Sequence, residues 1–320
     1  MPSVELLIQN GNNLYQPIIV DEIILEQEIN TCSTLTFKVL KDDIINFQEG
    51  NAVRLKVDDV NMFFGFVFTK VRNKEQIITV KCYDQLRYLK NKDTIIYSNK
   101  TTPELIRMIS DNYKLQTGLL ENTNYSITRV EDNKTLLDMI VNSLNDTLMH
   151  TKKKYILFDD FGKLTLKNIE NMKLPLIITG DNTEDFEYAT SIDSNTYNKV
   201  KLVYEDKETK KREVYIAQNT ASQNEWGVLQ YYEEVDSTKN IISKANTLLD
   251  LYNSKTRTLN IQSYIGDPRI KAGSVLVVYI PNIGDISISN LMVCKTVTHK
   301  ITTDLHLIDI GLIGNYIFGE

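Results

Sequence analysis

The chain has 320 residues, 42% hydrophobic and 24% charged, with a formal net charge of −6. That length exceeds one ordinary core and suffices for two or three compact domains, and the composition excludes an intrinsically disordered polymer. Basic residues form only short clusters, such as Lys152 to Lys154 and Lys207 to Arg212, so there is no broad positive field for a phosphate backbone and sequence-specific nucleic-acid binding is not expected.

Cys32, Cys82 and Cys294 are odd in number and lie far apart on apolar, strand-like stretches. This argues against a disulfide framework or a zinc cage and for three buried free thiols made in a reducing cytosol. The opening MPSVELLIQN lacks a basic segment followed by an apolar run, and the longest apolar stretch, around Met62 to Phe68, is far short of a membrane span. Neither export nor membrane insertion is expected.

In chain order, the first ninety residues read as successive short strands. Val4, Leu6 and Ile8 alternate with other side chains, as do Leu35, Phe37 and Val39, then Val53, Leu55 and Val57, then Phe64, Phe66 and Phe68, then Ile78, Val80 and Cys82. Period-two patterning broken by Asn10-Gly11-Asn12 and Glu49-Gly50-Asn51 predicts half-buried strands in a small barrel or sandwich. From Asp84 to about Gly180 the pattern becomes mixed. Thr101-Thr102-Pro103-Glu104 is a helix start followed by the stripe Leu105, Ile106, Met108 and Ile109, with hydroxyl cap, first-turn proline and early acid all in place. Helical spacing of Leu136, Leu137, Ile140, Val141, Leu144 and Leu148 predicts a second helix over 134–150. Tyr155 to Leu166 is a hairpin with Asp159-Asp160-Phe161-Gly162 as its turn. Strands return after residue 185, with Lys199 to Tyr204 and Glu213 to Gln218 flanking a charged tip, and one helix is expected over 237–252 before the strands that run to the end.

The expected fold is therefore mainly β with an inserted α/β domain. Two small antiparallel barrel-like domains span 1–93 and 186–320, the second carrying the inserted helix 237–252, and a small α/β domain spans 94–185. The two β regions echo each other. Gly50 opens GNAVRLKV, then MFFGFVFTKV and IITVKCYD; Gly273 opens GSVLVVYI, then LMVCKTVTHKI and HLIDIGL. Each is a glycine turn followed by three strands, which reads either as a duplicated unit or as the general likeness of any two antiparallel barrels of short strands.

MFFGFVFTKV (Met62 to Val71), VKCYDQLRYLKNK (Val80 to Lys92), the helix start TTPELI, and IKAGSVLVVYI followed by VTHKITTDLHLIDIGL resemble the XkdQ-like baseplate hub proteins of contractile phage tails and phage-tail-like bacteriocins, over nearly the whole chain. The resemblance implies a homotrimeric hub with two tail-tube-like domains per subunit. It implies a pseudo-six-fold ring joining a hexameric tail tube protein to a trimeric spike protein, with a lumen for tape-measure protein and cargo and contacts to other baseplate proteins. Such a particle is assembled in the bacterial cytoplasm and then released. No spike-like β-helix repeat follows residue 320, so the spike is expected to be a separate polypeptide.

Chemistry-bearing residues are few, and no catalytic, cofactor or metal site is expected. His299 and His306 lie on consecutive predicted strands and could face each other, but zinc needs three or four ligands and Asp304 or Asp309 would have to complete the set from a loop. In the resembling family this pattern belongs to a closing barrel strand, a packing role. Asp181, Glu184, Asp185 and Glu187 have the oxygen density of a calcium loop without its spaced ligands and central glycine. Asp159 with Asp160 and Glu233 with Glu234 are adjacent, so in a strand they point to opposite faces. A tail-associated cell-wall hydrolase or glycan-binding module, the competing reading, needs clustered surface aromatics beside a convergent acid pair, which the sequence does not suggest. Interface candidates are Lys207, Lys210, Lys211 and Arg212 at the charged tip, together with Trp226, Tyr231 and Tyr232. For the tip the plain alternative is a solvated turn of mixed charge; for the aromatics it is a place in the second β core.

Overall fold

The computed structural model describes residues 1–314 apart from 181–183, 194, 207, 236, 237, 239, 284 and 285. The first β unit contains β1 (Val4–Asn10), β2 (Asn13–Tyr15), β3 (Ile19–Glu28), β4 (Thr34–Leu40), β5 (Ala52–Val57), β6 (Val60–Arg72) and β7 (Ile77–Tyr83). Its inward residues, among them Leu25, Leu35, Phe37, Val53, Leu55, Phe63, Val67 and Val80, form one buried core. On β6 it is Phe63 and Val67 that point inward. Phe64, Phe66 and Phe68 are half-buried on the outer face, where edge-on ring contacts join Phe66 to Tyr88 and Phe68 to Tyr83.

A 3-10 turn over Gln85–Lys90 leads into the α/β unit: β8 (Lys92–Thr101), α1 (Thr102–Tyr113), β9 (Thr117–Leu120), β10 (Ser126–Thr135), α2 (Leu136–Thr151), β11 (Tyr155–Asp159) and β12 (Leu164–Asn168). The expected start of α1 is present, the Glu104 carboxylate accepting from the Thr101 backbone N–H at 2.7 Å and from its hydroxyl at 2.8 Å. For α2 the Thr135 hydroxyl accepts from Asp138 N–H at 3.1 Å. Leu105, Ile106 and Ile109 of α1 meet Leu136, Met139, Ile140 and Leu144 of α2 over Tyr155, Leu157, Leu164 and Leu166. Leu86 and Leu89 join this core from before residue 94.

A second 3-10 turn, Ile169–Met172, opens the remainder: β13 (Lys173–Thr179), β14 (Asp185–Ser191), β15 (Lys199–Glu205), β16 (Arg212–Gln218), α3 (Thr220–Trp226), β17 (Gln230–Val235), α4 (Ile241–Tyr252), β18 (Thr256–Ile265), β19 (Val275–Ile283), β20 (Ile286–Ile301) and β21 (His306–Gly314). The expected segment 186–320 contains two cores. Leu259, Ile261, Leu276, Val278, Val297, Ile308, Ile310 and Leu312 fill one, to which Ile178 of β13 is added from before residue 186. Val200, Leu202, Ala217, Ile241, Ala245 and Leu248 fill the other, between α4 and a sheet of order β16-β15-β17. The inserted helix thus brings three strands with it.

The two β units share a strand order: β3-β4-β7-β6-β5-β1 in the first, β14-β18-β21-β20-β19-β13 in the last. Local detail repeats too. Gly50 and Gly273 both have positive φ, +85° and +90°. Gly50 N–H donates to the Val67 carbonyl at 2.8 Å while Val67 N–H donates to that of Asn51 at 2.9 Å; Gly273, Cys294 and Ser274 repeat both bonds at 2.8 and 2.9 Å. The residue after each of these strand positions is bulged, between Val67 and Thr69 and between Cys294 and Thr296. A bulge leaves one residue unpaired and bends the strand, and its recurrence at the same place decides for duplication over general likeness. The last strands differ: β1 pairs antiparallel with β5, β13 parallel with β19.

Neither unit closes into the expected barrel; both belong to one open thirteen-stranded sheet. The physical reason is the length of β20. Its first half pairs with β19 and its second half, Thr296 to Ile301, runs past that strand and pairs antiparallel with Glu28 to Ile23 of β3. The free half of one unit's long strand is satisfied by the other unit's edge.

Candidate assembly surface

The β11–β12 hairpin stands where the three parts of the chain meet. Leu157 N–H donates to Asn30 Oδ1 at 3.1 Å, Lys271 Nζ lies 3.2 Å from Asp160 and 4.2 Å from the Phe158 ring centroid, and the Phe161 ring is 5.9 Å from that of Phe64. Ile156 and the turn residues Ile169 and Met172 pack against Val275 and Val293. A cleft of about 280 Å³ remains between Gln27, Met62, Asp159, Phe161, Arg269 and His299.

Asp159 of this cleft and its neighbour Asp84 have the raised pKa values that often mark active sites. Asp84 is pushed up to about 7 by burial and by Asp159, and burial raises Asp159 as well. Their contacts give them another role. Asp84 accepts from Ser33 N–H at 2.8 Å and Leu86 N–H at 3.0 Å, and Asp159 accepts from Gly162 N–H at 2.5 Å and the Gln85 side-chain amide at 3.3 Å. Each carboxyl caps a turn, and Gln85 ties the two turns together by also donating to the Gly162 carbonyl and accepting from Gln116 N–H at 3.0 Å.

His299 and His306 do face each other, with His299 Nδ1 2.9 Å from His306 Nε2. His299 Nε2 is 3.0 Å from the Ile270 carbonyl and must donate to it, so in a neutral His299 ring Nδ1 accepts the His306 Nε2–H. Burial favours the neutral form, lowering His299 to about 3 and His306 below its ordinary value. Asp309, one of the two aspartates that would have had to complete a metal set, is taken by Lys300 at 2.6 Å and Ser263 N–H at 3.0 Å. Among the described residues no group of three His, Cys, Asp or Glu side chains stands close enough to hold a metal. Of the acidic group around residue 185, Asp181 lies outside the described residues, while Asp185 and Glu187 sit exposed on β14.

The interface candidates fall mostly on the β15–β17 sheet. Lys207 lies outside the described residues. Lys210, with φ +58°, and Lys211 form the tip, where the Asp206 carboxylate caps Glu208 and Thr209 N–H at 2.9 and 2.8 Å. Arg212 pairs with Glu205 at 3.2 Å and Glu234 at 3.5 Å, and Tyr232 donates to Glu234 at 3.1 Å. Arg212, Glu234 and Tyr232 thus converge, and with half-exposed Val214 and Ile216 they occupy the sheet face turned from α4. Glu233 points the other way, to Lys244 at 2.6 Å, as alternation requires. Tyr231 is also on the α4 side, stacked on Tyr252 with its centroid 5.8 Å away and its hydroxyl pushed up to about 12, chiefly by burial. Trp226 ends α3 under Lys255, 5.6 Å above its ring, and its buried Nε1 has no acceptor among the described residues. Strand edges were not legible as candidates, because edge exposure depends on which strands find partners; the echo of Gly50 and Gly273 was the available signal.

The chain is thus mainly β, with a duplicated unit, an α/β insertion and two raised carboxyls that each cap a turn. A family model described as YqbQ-like matches residues 23–313, and the chain belongs to that family. It is 31% identical over 245 residues to "Uncharacterized protein YqbQ" of Bacillus subtilis (strain 168), covering 74% of this chain and 73% of the relative. It is 28% identical over 260 residues to "Phage-like element PBSX protein XkdQ" of the same organism, covering 79% and 78%, so the kinship with XkdQ expected from the sequence is borne out. The 43 kDa tail protein of prophage MuSo2 from Shewanella oneidensis has the same fold, with a TM-score of 0.72 at 12% identity over 96% of this chain and 98% of that one.

Proposed function

We propose that this chain is a structural, non-enzymatic subunit of a contractile phage-type tail, and within it the baseplate hub. Three copies form a pseudo-six-fold ring that joins a hexameric tail tube to a trimeric spike and leaves a lumen for tape-measure protein and cargo. The observation that carries this reading is the duplicated unit: two β units of matching strand order per chain present six similar units in a trimer, which fits a six-fold partner at one end and a three-fold partner at the other. Kinship with a protein of a phage-like element and the fold of a prophage tail protein support the setting. The outward face of the β15–β17 sheet, with Arg212 and Tyr232 and with Lys210 and Lys211 at its tip, is proposed as a contact for a neighbouring tail component; Trp226 is assigned to the adjoining turn. Such a subunit is assembled in the bacterial cytoplasm and leaves in the released particle.

The test is mass measurement and negative-stain imaging of the purified chain, alone and with the tube and spike proteins of its own particle. A ring of three copies is expected. A monomer at every concentration, with both partners present, overturns the reading.

A further inference from the structure

The joint between β20 and β3 has an equivalent pair of segments that stays unpaired among the described residues. Partners trace the correspondence strand by strand. Val67 lies opposite Cys82 as Cys294 lies opposite Leu312; Cys82 opposite Leu35 as Leu312 opposite Leu259; Leu35 opposite Leu25 as Leu259 opposite Tyr188. Thr296 to His299 of β20 therefore correspond to Thr69 to Arg72 of β6, and Leu25 to Glu28 of β3 to Tyr188 to Ser191 of β14. Within the chain the first members of these two pairings are joined, His299 opposite Leu25 and Thr296 opposite Glu28.

The second members are open. β5 pairs with β6 only as far as Phe66, and β7 takes the other edge. β14 ends the strand order, with β18 on one side alone. Six strands separate β14 from β6, a span of roughly 30 Å at ordinary strand spacing, so one chain does not join them. Open edges with unpaired N–H and carbonyl groups are templates for a further strand.

Deepening the ring reading above and resting on it, we propose that β14 of one copy adds antiparallel to the free edge of β6 in a second copy. The register is that of the internal joint: Ser191 opposite Thr69, Thr190 opposite Lys70, Ala189 opposite Val71 and Tyr188 opposite Arg72. Ile192 N–H then donates to the Phe68 carbonyl, as Ile29 N–H donates to that of the bulged Lys295 at 3.1 Å. None of the four pairs sets like charges opposite each other. Val71, 61% exposed, meets exposed Ala189, and Arg72 faces the Tyr188 ring. The contact is heterologous and repeats by rotation, so internal and external joints alternate around the ring and neither edge is left open.

The three native thiols are buried, which leaves a clean background for engineered cysteines. The chain carrying Val71→Cys and Ala189→Cys, alone and with its tube and spike proteins, is oxidised and run without reductant; Val71→Cys with Glu187→Cys is the control two residues out of register. The in-register pair is expected to link copies into closed trimers about tenfold faster than the control, because a separation beyond about 7 Å does not bridge. In the unaltered chain, hydrogen exchange is expected to slow at Thr69 to Arg72 and Tyr188 to Ser191 on assembly. A ring that forms without either signal overturns the pairing and leaves the hub reading standing. A monomer in all conditions overturns both.

Discussion

Gln85 is a buried side chain whose amide oxygen and nitrogen are both used, and it binds the first β unit's exit to the β11–β12 turn. Gln85→Leu keeps its bulk and strands the Gly162 carbonyl and Gln116 N–H, so a loss of about 3 kcal/mol is expected in urea denaturation. The carboxyl and imidazole pairs give opposed pH slopes. Folded His299 is neutral down to about pH 3, so its contribution is full above about pH 6.5 and falls as the pH drops below it, by at most about 1.4 kcal/mol per unit. Folded Asp84 holds its proton up to about pH 7, so its contribution is full below about pH 4 and is lost as the pH rises towards 7. Between about pH 4 and 6.5 the two partly cancel. His299→Gln is expected to flatten the rise of stability with pH in that window and Asp84→Asn to steepen it, read from denaturation midpoints across the range. That the two histidines could face each other was legible from the sequence, but neither titration was, since a titration depends on burial that only packing creates.

At the scale of elements, Gly50 and Gly273 mark equivalent turns with the same left-handed backbone, but their surroundings differ. A Cβ on Gly50 meets nothing within 4 Å, whereas one on Gly273 comes within 2.9 Å of Ile156 and Met172. Alanine at either site costs about 1–2 kcal/mol of backbone strain. Gly273→Ala is expected to cost clearly more than Gly50→Ala in matched thermal melts, because the α/β unit is packed against the second turn alone. Most elements were legible from the sequence. The capping pattern at Thr101 and the stripes on α1 and α2 appear as expected, as do the β11–β12 and β15–β16 hairpins, because caps, stripes and turns act over a few residues. The short α3, carrying Trp226, was not, having no stripe long enough to declare itself.

For the whole molecule, Ile301 shows how far the β units depend on each other. It is the last residue of β20, yet its side chain is buried in the core of the first unit. Ile301→Ala is expected to cost about 2–5 kcal/mol. Hydrogen exchange should show faster opening in β3 and β4 as well as in β20, which two independent domains would not show.

Alternation, caps and turn residues in the sequence by themselves determined a mainly β chain with an α/β insertion, and the glycine echo suggested its duplication. Tertiary structure decided that the two β regions share one open sheet, that the aromatics of β6 face outward, and that β14 and the end of β6 have no strand partner on one edge among the described residues. Local patterning specifies which face of a strand is apolar, but any backbone edge bonds to any other. The choice of neighbour therefore rests on strand length and bulge position in three dimensions, as the overrun of β20 beyond β19 demonstrates.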